Sequence, residues 1–183
     1  MSLILQNTKD EIIGVFDEND NYIKGAPRKE VRKNNLIHRA TNIFVINSQN
    51  KILVQTRSML KEYCPGYLDL VVGGMVGDKE DVHKSAKREV SEEIGIDVTK
   101  TKDSLKFVSK HFYSDEVCQA FEYNYIIHIT PDEEKQITFT DNEVSSIEWF
   151  AKEELLELIQ NNTRKITGFS IKAFNALIQL KYI

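Results

Sequence analysis

Residues 74–96 read GMVGDKEDVHKSAKREVSEEIGI, and the rest of the chain is read outward from this stretch. Val82, Ala86 and Val90 recur every fourth residue, the spacing of an apolar stripe along one side of a helix. The pattern predicts a helix over 81–94, with Gly95 where a left-handed residue closes a helix C-terminus. Three carboxylates, Glu89, Glu92 and Glu93, stand at i, i+3 and i+4 and so share a sector of about 100° beside the stripe. Such a helix docks on a sheet by one side and presents acids on the next. The i, i+4 pair Glu89/Glu93 opposes helix formation by a few tenths of a kcal/mol, and close carboxylates raise one another's pKa. A divalent cation relieves that repulsion, and oxygen-only ligands suit Mg²⁺, with Mn²⁺ as the alternative. Arg88 is one helical turn before Glu92 and within reach of a ligand carboxylate. The plain alternative for any Glu-rich helix is a solvated acidic face.

The flanking sequence is rich in strand signals. Glu11–Phe16 and Tyr22–Lys24 bracket a turn-forming DENDN run, and a short polar helix is expected over 28–35. His38–Ile46 carries the continuous apolar run Ile43-Phe44-Val45-Ile46, typical of a strand covered on both faces. Further strands are expected over 51–57, 67–72, 105–112, 117–130 and 143–150, and amphipathic helices over 151–160 and 170–181. The order is β-rich, one central helix, more β, then helices, which is the α+β class.

Composition narrows the function classes. The 183 residues are 41% hydrophobic and 28% charged, ordinary for a globular chain of one domain spanning 1–183. In that reading, residues up to about 35 form an N-terminal hairpin and short helix, and residues from about 151 form C-terminal helices. The formal charge of −4 gives no basic excess, and no basic stripe with interleaved aromatics points to nucleic acid. The two cysteines, Cys64 and Cys118, do not make a disulfide scaffold and fit reduced thiols in a cytoplasmic chain. Met1–Gln6 reads as neither a signal peptide nor a membrane span.

The full spacing around the acidic helix is G-x5-E-x7-R-E-U-x-E-E-x-G-U, with U aliphatic, filled by Gly74, Glu80, Arg88, Glu89, Glu92, Glu93 and Gly95. Seven fixed identities at roughly 7% usage each coincide by chance about once in 10⁸ start points. The pattern resembles the Nudix box. The resemblance implies an α/β/α sandwich around a mixed sheet and a loop–helix–loop that holds Mg²⁺ or Mn²⁺. It also implies hydrolysis of a nucleoside diphosphate derivative or a related organic diphosphate. Glu89, Glu92 and Glu93 would be metal ligands, with the carbonyl of Gly73 or Gly74 as a further one. Glu80 and Arg88 would fix the loop and the ligand carboxylates. The general base is open among Glu92, Glu93, Glu116 and Glu143.

Outside the box, HRAT at 38–41, ILVQTR at 52–57 and CPGYLD at 64–69 resemble the branch of isopentenyl diphosphate isomerase. That alignment makes Arg57 and Lys61 candidate diphosphate-binding cations. It also puts Gly73 where the isomerase needs its catalytic Cys, and Met75 and Val31 where it needs metal-binding His, leaving only His38 and Glu116 of that set. Glycine cannot act as nucleophile or acid, and Met or Val cannot replace imidazole. The expectation is a hydrolase on an isomerase-like frame, with isomerisation and a non-catalytic nucleotide-binding module as alternatives. His38 is expected to be a packed, hydrogen-bonded histidine. The C-terminal helices are candidates to shape the substrate pocket or a homodimer contact. The partner expected is a small-molecule diphosphate, not a membrane.

Overall fold

The run Ile43–Ile46 is apolar at every position because its strand is covered on both sides. In the computed structural model, which describes residues 11–99, 105–139 and 142–183, these four residues alternate between two separate cores. The strand, β3 (His38–Ile46), follows a hairpin of β1 (Ile12–Phe16) and β2 (Tyr22–Pro27) and a short helix α1 (Arg28–Lys33). Next come β4 (Ile52–Arg57), β5 (Leu68–Asp69), α2 (Val82–Ile94), β6 (Lys106–Ser114) and β7 (Gln119–His128). A helical turn α3 (Pro131–Glu134), β8 (Val144–Phe150), α4 (Lys152–Asn161) and α5 (Gly168–Gln179) complete the order.

The sheet is mixed. β3 runs parallel to β7 from His38↔Ala120 to Ile46↔His128, and β7 pairs antiparallel with β6. β4 pairs antiparallel with β8 along its length. On the other flank of β3 the segment after β5 forms bridges Ile43↔Val72 and Ala40↔Met75. Ile43 and Val45 pack with Tyr125 and Ile127 against Ala86, Val90 and Ile94 of α2. Phe44 and Ile46 pack with Ile126 against Leu155 of α4 and Phe174 and Leu177 of α5. The result is the expected α/β/α sandwich of the α+β class, with the side-chain alternation of each strand deciding which helix layer it feeds.

Two local expectations change. The strand expected over 67–72 is only Leu68–Asp69, because the chain leaves β4 after two pairs and crosses to β3, where Val72 exchanges backbone hydrogen bonds with Ile43 at 2.8 and 3.0 Å. The strand expected to reach Thr130 stops at His128. The helical turn behind it begins at a capping box in which Thr130 and Glu133 bond each other's backbone. Met1–Gln6, and with it the start of the expected N-terminal hairpin region, lies outside the described residues. Among the described residues, no helix is long and apolar enough to cross a membrane.

Candidate metal and diphosphate site

Helix α2 starts at Asp81, whose side chain accepts from the Lys84 backbone N–H, and ends at Gly95 with φ +73°. Its Val82/Ala86/Val90 stripe seats it on the sheet, which fixes where the acids go. Arg88 is their hub. Its Nε and Nη2 each donate to one oxygen of Glu80 at 3.1 Å, and its Nη1 reaches Glu89 at 2.9 Å and Glu92 at 2.8 Å. Glu80 also accepts from the Gly77 N–H, so the loop before the helix is clamped to the helix itself.

The three box carboxylates do not share one environment. Glu89 and Glu93 are buried, whereas the Glu92 side chain is 59% exposed. Glu93 accepts from the Gly73 N–H at 3.0 Å, and Glu89 lies against Gly74. A Cβ on Gly74 would stand 2.9 Å from a Glu89 oxygen, so the glycine is what lets that carboxylate reach the strand. Among the described residues, no three His, Cys, Asp or Glu side chains are grouped as a ready metal cage. Of the three expected metal ligands, Glu89 and Glu93 are buried and Glu92 is turned towards solvent. Like charges on adjacent turns repel, and each finds its own donor instead: Arg88 for Glu89 and Glu92, a backbone N–H for Glu93. Burial pushes the Glu89 carboxyl up to about 7, against the pull of Arg88 and with Glu92 adding repulsion. The donor set is all oxygen, which fits a hard divalent cation. The Gly74 carbonyl already accepts from the Thr41 N–H at 2.9 Å.

Gly73 and Gly74 also line a cleft that opens to solvent. Its floor is polar: His38 and Asn42 from β3, Glu122 from β7, and Asp69 from β5. Glu122 contacts Asn42 and is buried, and burial pushes its carboxyl up to about 7. His38 hydrogen-bonds the Leu36 carbonyl through Nδ1 at 3.0 Å. Burial drives its pKa down to about 3, so it is the neutral packed imidazole that was expected.

Four cations line the same cleft: Arg28, Arg32, Arg57 and Lys61. Arg57 and Lys61 are therefore where the isomerase-like alignment put them, but both are engaged. Arg57 donates to Asp69 at 2.9 Å and through Nε and Nη2 to the Tyr63 carbonyl, pinning the loop after β4. Lys61 pairs with Glu143, whose carboxyl it holds below the usual range against the upward push of burial. Glu116 does not reach the cleft. It is exposed in the turn between β6 and β7, because Asp115 folds that turn by accepting from the Val117 and Cys118 N–H groups and Glu116 is left pointing outward.

Arg28, Arg32, Asp69, Asn42 and Glu122 were missed from sequence. Two signals existed. Arg28 and Arg32 are an i, i+4 pair on one side of α1, and Glu122 and Asn124 are polar residues of the same parity inside an otherwise apolar strand.

The isomerase chemistry has no place to start. Gly73 has φ +143°, and a Cβ there would stand 2.0 Å from the Thr41 carbonyl oxygen, so no side chain fits. Met75 and Val31 are buried apolar residues. Cys118 does line the cleft, yet burial pushes its thiol up to about 12, far from a thiolate.

An acidic helix clamped by one arginine, joined through two glycines to a cation-lined cleft in an α/β/α sandwich, is the arrangement of a Nudix fold. Residues 36–168 match the family model for the NUDIX domain, and the chain belongs to the Nudix hydrolase family. It is 40% identical over 106 residues to an uncharacterized Nudix hydrolase, PA4841, of Pseudomonas aeruginosa, covering 58% of this chain and 60% of that relative. It is 28% identical over 168 residues to isopentenyl-diphosphate Delta-isomerase 2 of Photorhabdus laumondii, covering 92% of this chain and 93% of that one. In three dimensions it resembles the crystal structure of DR0079 from Deinococcus radiodurans, with a TM-score of 0.70 at 22% identity over 91% of this chain and 99% of that one.

Proposed function

We propose that the chain hydrolyses the diphosphate linkage of a nucleoside diphosphate derivative or a related polar organic diphosphate by attack of water on phosphorus. Nudix hydrolases use divalent metals, and here Mg²⁺ is the expected ion, with Mn²⁺ as the alternative. The observation that carries the reading is the double glycine: Gly73 and Gly74 take Glu93 and Glu89 on one side and line the cationic cleft on the other. A diphosphate in the cleft thus lies one backbone layer from the acidic helix.

Glu89, Glu92 and Glu93 would hold the metal, with Gly73 or Gly74 offering a carbonyl. When bound, the ion lowers the pKa of water and neutralises charge on the departing phosphate. The chain's own residues do the rest. Glu80 and Arg88 keep the loop and the acids in place, and Lys61 adds positive charge to the cleft wall. Arg57 is read as the clip that shapes that wall. Glu92 and Glu93 are the box carboxylates to which the proton of the attacking water can pass. The polar floor of His38, Asn42 and Glu122 favours a hydroxylated moiety over a prenyl chain, since an apolar chain there would strip water from polar groups and give them nothing in return. The N-terminal hairpin and the C-terminal helices are read as parts of one cytoplasmic catalytic unit.

The test is a panel of nucleoside diphosphate derivatives and other organic diphosphates with Mg²⁺ or Mn²⁺, read by released phosphate or nucleotide. Turnover is expected with metal and not with chelator. Substituting partners one shell further out from a metal typically costs 10–100-fold, so Glu93→Gln is expected to lose more than about 100-fold in turnover with its melting temperature preserved. Undiminished turnover in that variant rejects the metal role. The isomerase relative motivates a parallel assay with isopentenyl diphosphate, in which no allylic product is expected.

A further inference from the structure

We propose that Arg32 is a specificity-determining anion contact, binding the phosphoryl group of the substrate that is turned away from the acidic helix. The inference rests on the diphosphate reading of the cleft and adds a residue that lies before the segment matched by the family model.

Three of the four cleft cations are compensated by an acid. Arg28 pairs with Glu11 at 3.1 Å, Arg57 with Asp69 at 2.9 Å, and Lys61 with Glu143. Arg32 differs. Its Nη1 is buried and has no hydrogen-bond partner among the described residues. A buried guanidinium N–H without an acceptor is unfavourable, and native structures rarely keep one unless a ligand or water completes it. Arg32 is also held in a defined pose by something other than a carboxylate. Its guanidinium lies over the ring of Tyr63 at 5.6 Å. Tyr63 is in turn fixed by its hydroxyl, which donates to Asp115 at 2.5 Å, and by Phe169, 6.1 Å away between ring centroids. A cation oriented by an aromatic face keeps its planar N–H edge for another partner. That edge matches the oxygens of a phosphate in two-pronged geometry.

Position supports the same role. Arg32 sits on α1, which follows the β1–β2 hairpin, and it lines the same cleft as Gly73 and Gly74. The titratable groups that feel its charge are His38, Cys118 and Glu122, all lining the cleft, and the Cys118 thiol also takes a hydrogen bond from the Arg32 side chain. None of them pairs with Nη1. The carboxylates of α2 therefore serve one end of a bound diphosphate and Arg32 the other.

The test is calorimetric titration of inorganic pyrophosphate with Mg²⁺ into the full chain, alongside kinetics on whichever diphosphate of the panel turns over. A hydrogen bond to a charged group is worth enough that Arg32→Gln should weaken pyrophosphate binding and raise KM by roughly 10- to 100-fold. kcat and the melting temperature should change little. Arg32→Lys, which keeps the charge but loses the fork, should fall between the two, and it decides the matter if Arg32→Gln does not fold. Wild-type Kd and KM in both variants overturn the proposal while leaving the hydrolase intact. A lowered melting temperature with unchanged Kd also overturns it, in favour of a packing role against Tyr63. Failure of the wild type to bind pyrophosphate overturns it as well. If pyrophosphate binds in an Arg32-dependent way but no diphosphate is hydrolysed, the hydrolase reading falls and the anion subsite stands.

Discussion

The two sides of the β3–Gly73–Gly74 seam carry opposite charge and are assembled in opposite ways. On the α2 side, four acids lie within fourteen residues of one another, and a single residue, Arg88, binds three of them directly. On the cleft side, three of the four cations, Arg57, Arg28 and Lys61, are paired one by one with acids 12, 17 and 82 positions away. The acidic side is largely a local object, specified by helix spacing and one hub. The cationic side exists only once the sheet, the loop after β4 and the N-terminal hairpin have come together. A local cluster tolerates exposure, as the half-exposed side chain of Glu92 shows, and its pairs contribute little individually. In the cleft the Arg57–Asp69 pair is buried, so it becomes sensitive to loss of a single member.

That contrast predicts its largest effect at Arg57. Its partner Asp69 is buried, and desolvation already raises the Asp69 carboxyl against the pull of Arg57. Removing one member of a buried pair leaves the other uncompensated and costs about 3–5 kcal/mol. Arg57→Gln should therefore lower the unfolding free energy in a urea titration by that amount. Exchange of Arg88 for Gln on the acidic side, where the partners are more exposed, should cost clearly less. Equal losses would mean that the two sides are not built differently in the way argued.

A smaller effect separates the two sides by pH. The Glu122 carboxyl on the cleft floor is raised from 4.5 to about 7 by burial. A folded-state pKa above the unfolded one means the folded chain holds the proton over that interval and the unfolded chain does not. Its stabilising share is thus complete below about 4.5 and is lost as pH rises through about 7. At about 1.4 kcal/mol per pH unit, Glu122→Gln should be more stable than the wild type by on the order of 3 kcal/mol at pH 8. The two should converge towards pH 4, because the replacing amide is neutral throughout and can still accept from Asn42. Melting curves of both proteins across that range check it, and a gap that does not change with pH would remove the buried-carboxylate account.

What could be read from sequence follows the same division. The box, its helix, the Asp81 start and the Gly95 stop are encoded in short-range spacing, and they appear in the structure where spacing put them. The two-faced burial of β3 was readable because an uninterrupted apolar run allows no other placement. The outward turn of Glu92 was not, because a helical wheel gives directions for Cβ atoms but not the donor each carboxylate will choose. Arg28, Arg32, Asp69 and Glu122 were not legible either. The local signals, an i, i+4 arginine pair and polar residues of one parity in a strand, do not mark a site until β7 lies beside β3 and the cleft brings these residues together. The shortened strand at Leu68–Asp69 has the same origin, since the chain gives up β4 to pair with β3 at Val72.

The smallest expected effect tests the boundary of the cleft. The Nudix resemblance left Glu116 among the candidate bases, and its neighbour in the same turn is the one that anchors a hydrogen-bond network. Asp115 accepts from the Tyr63 and Tyr113 hydroxyls and from two backbone N–H groups, which holds its carboxyl below the usual range against the push of burial. Glu116, one residue on, is exposed and does not line the cleft. Surface substitutions away from such networks typically shift stability by no more than about 0.5 kcal/mol. Glu116→Gln should accordingly leave both melting temperature and diphosphate turnover near the wild-type values, whereas Asp115→Asn should loosen the Tyr63 platform beneath Arg32. A collapse of turnover in Glu116→Gln would mean that the β6–β7 turn swings over the cleft during the reaction, and the seam between acidic helix and cationic wall would then have a third contributor.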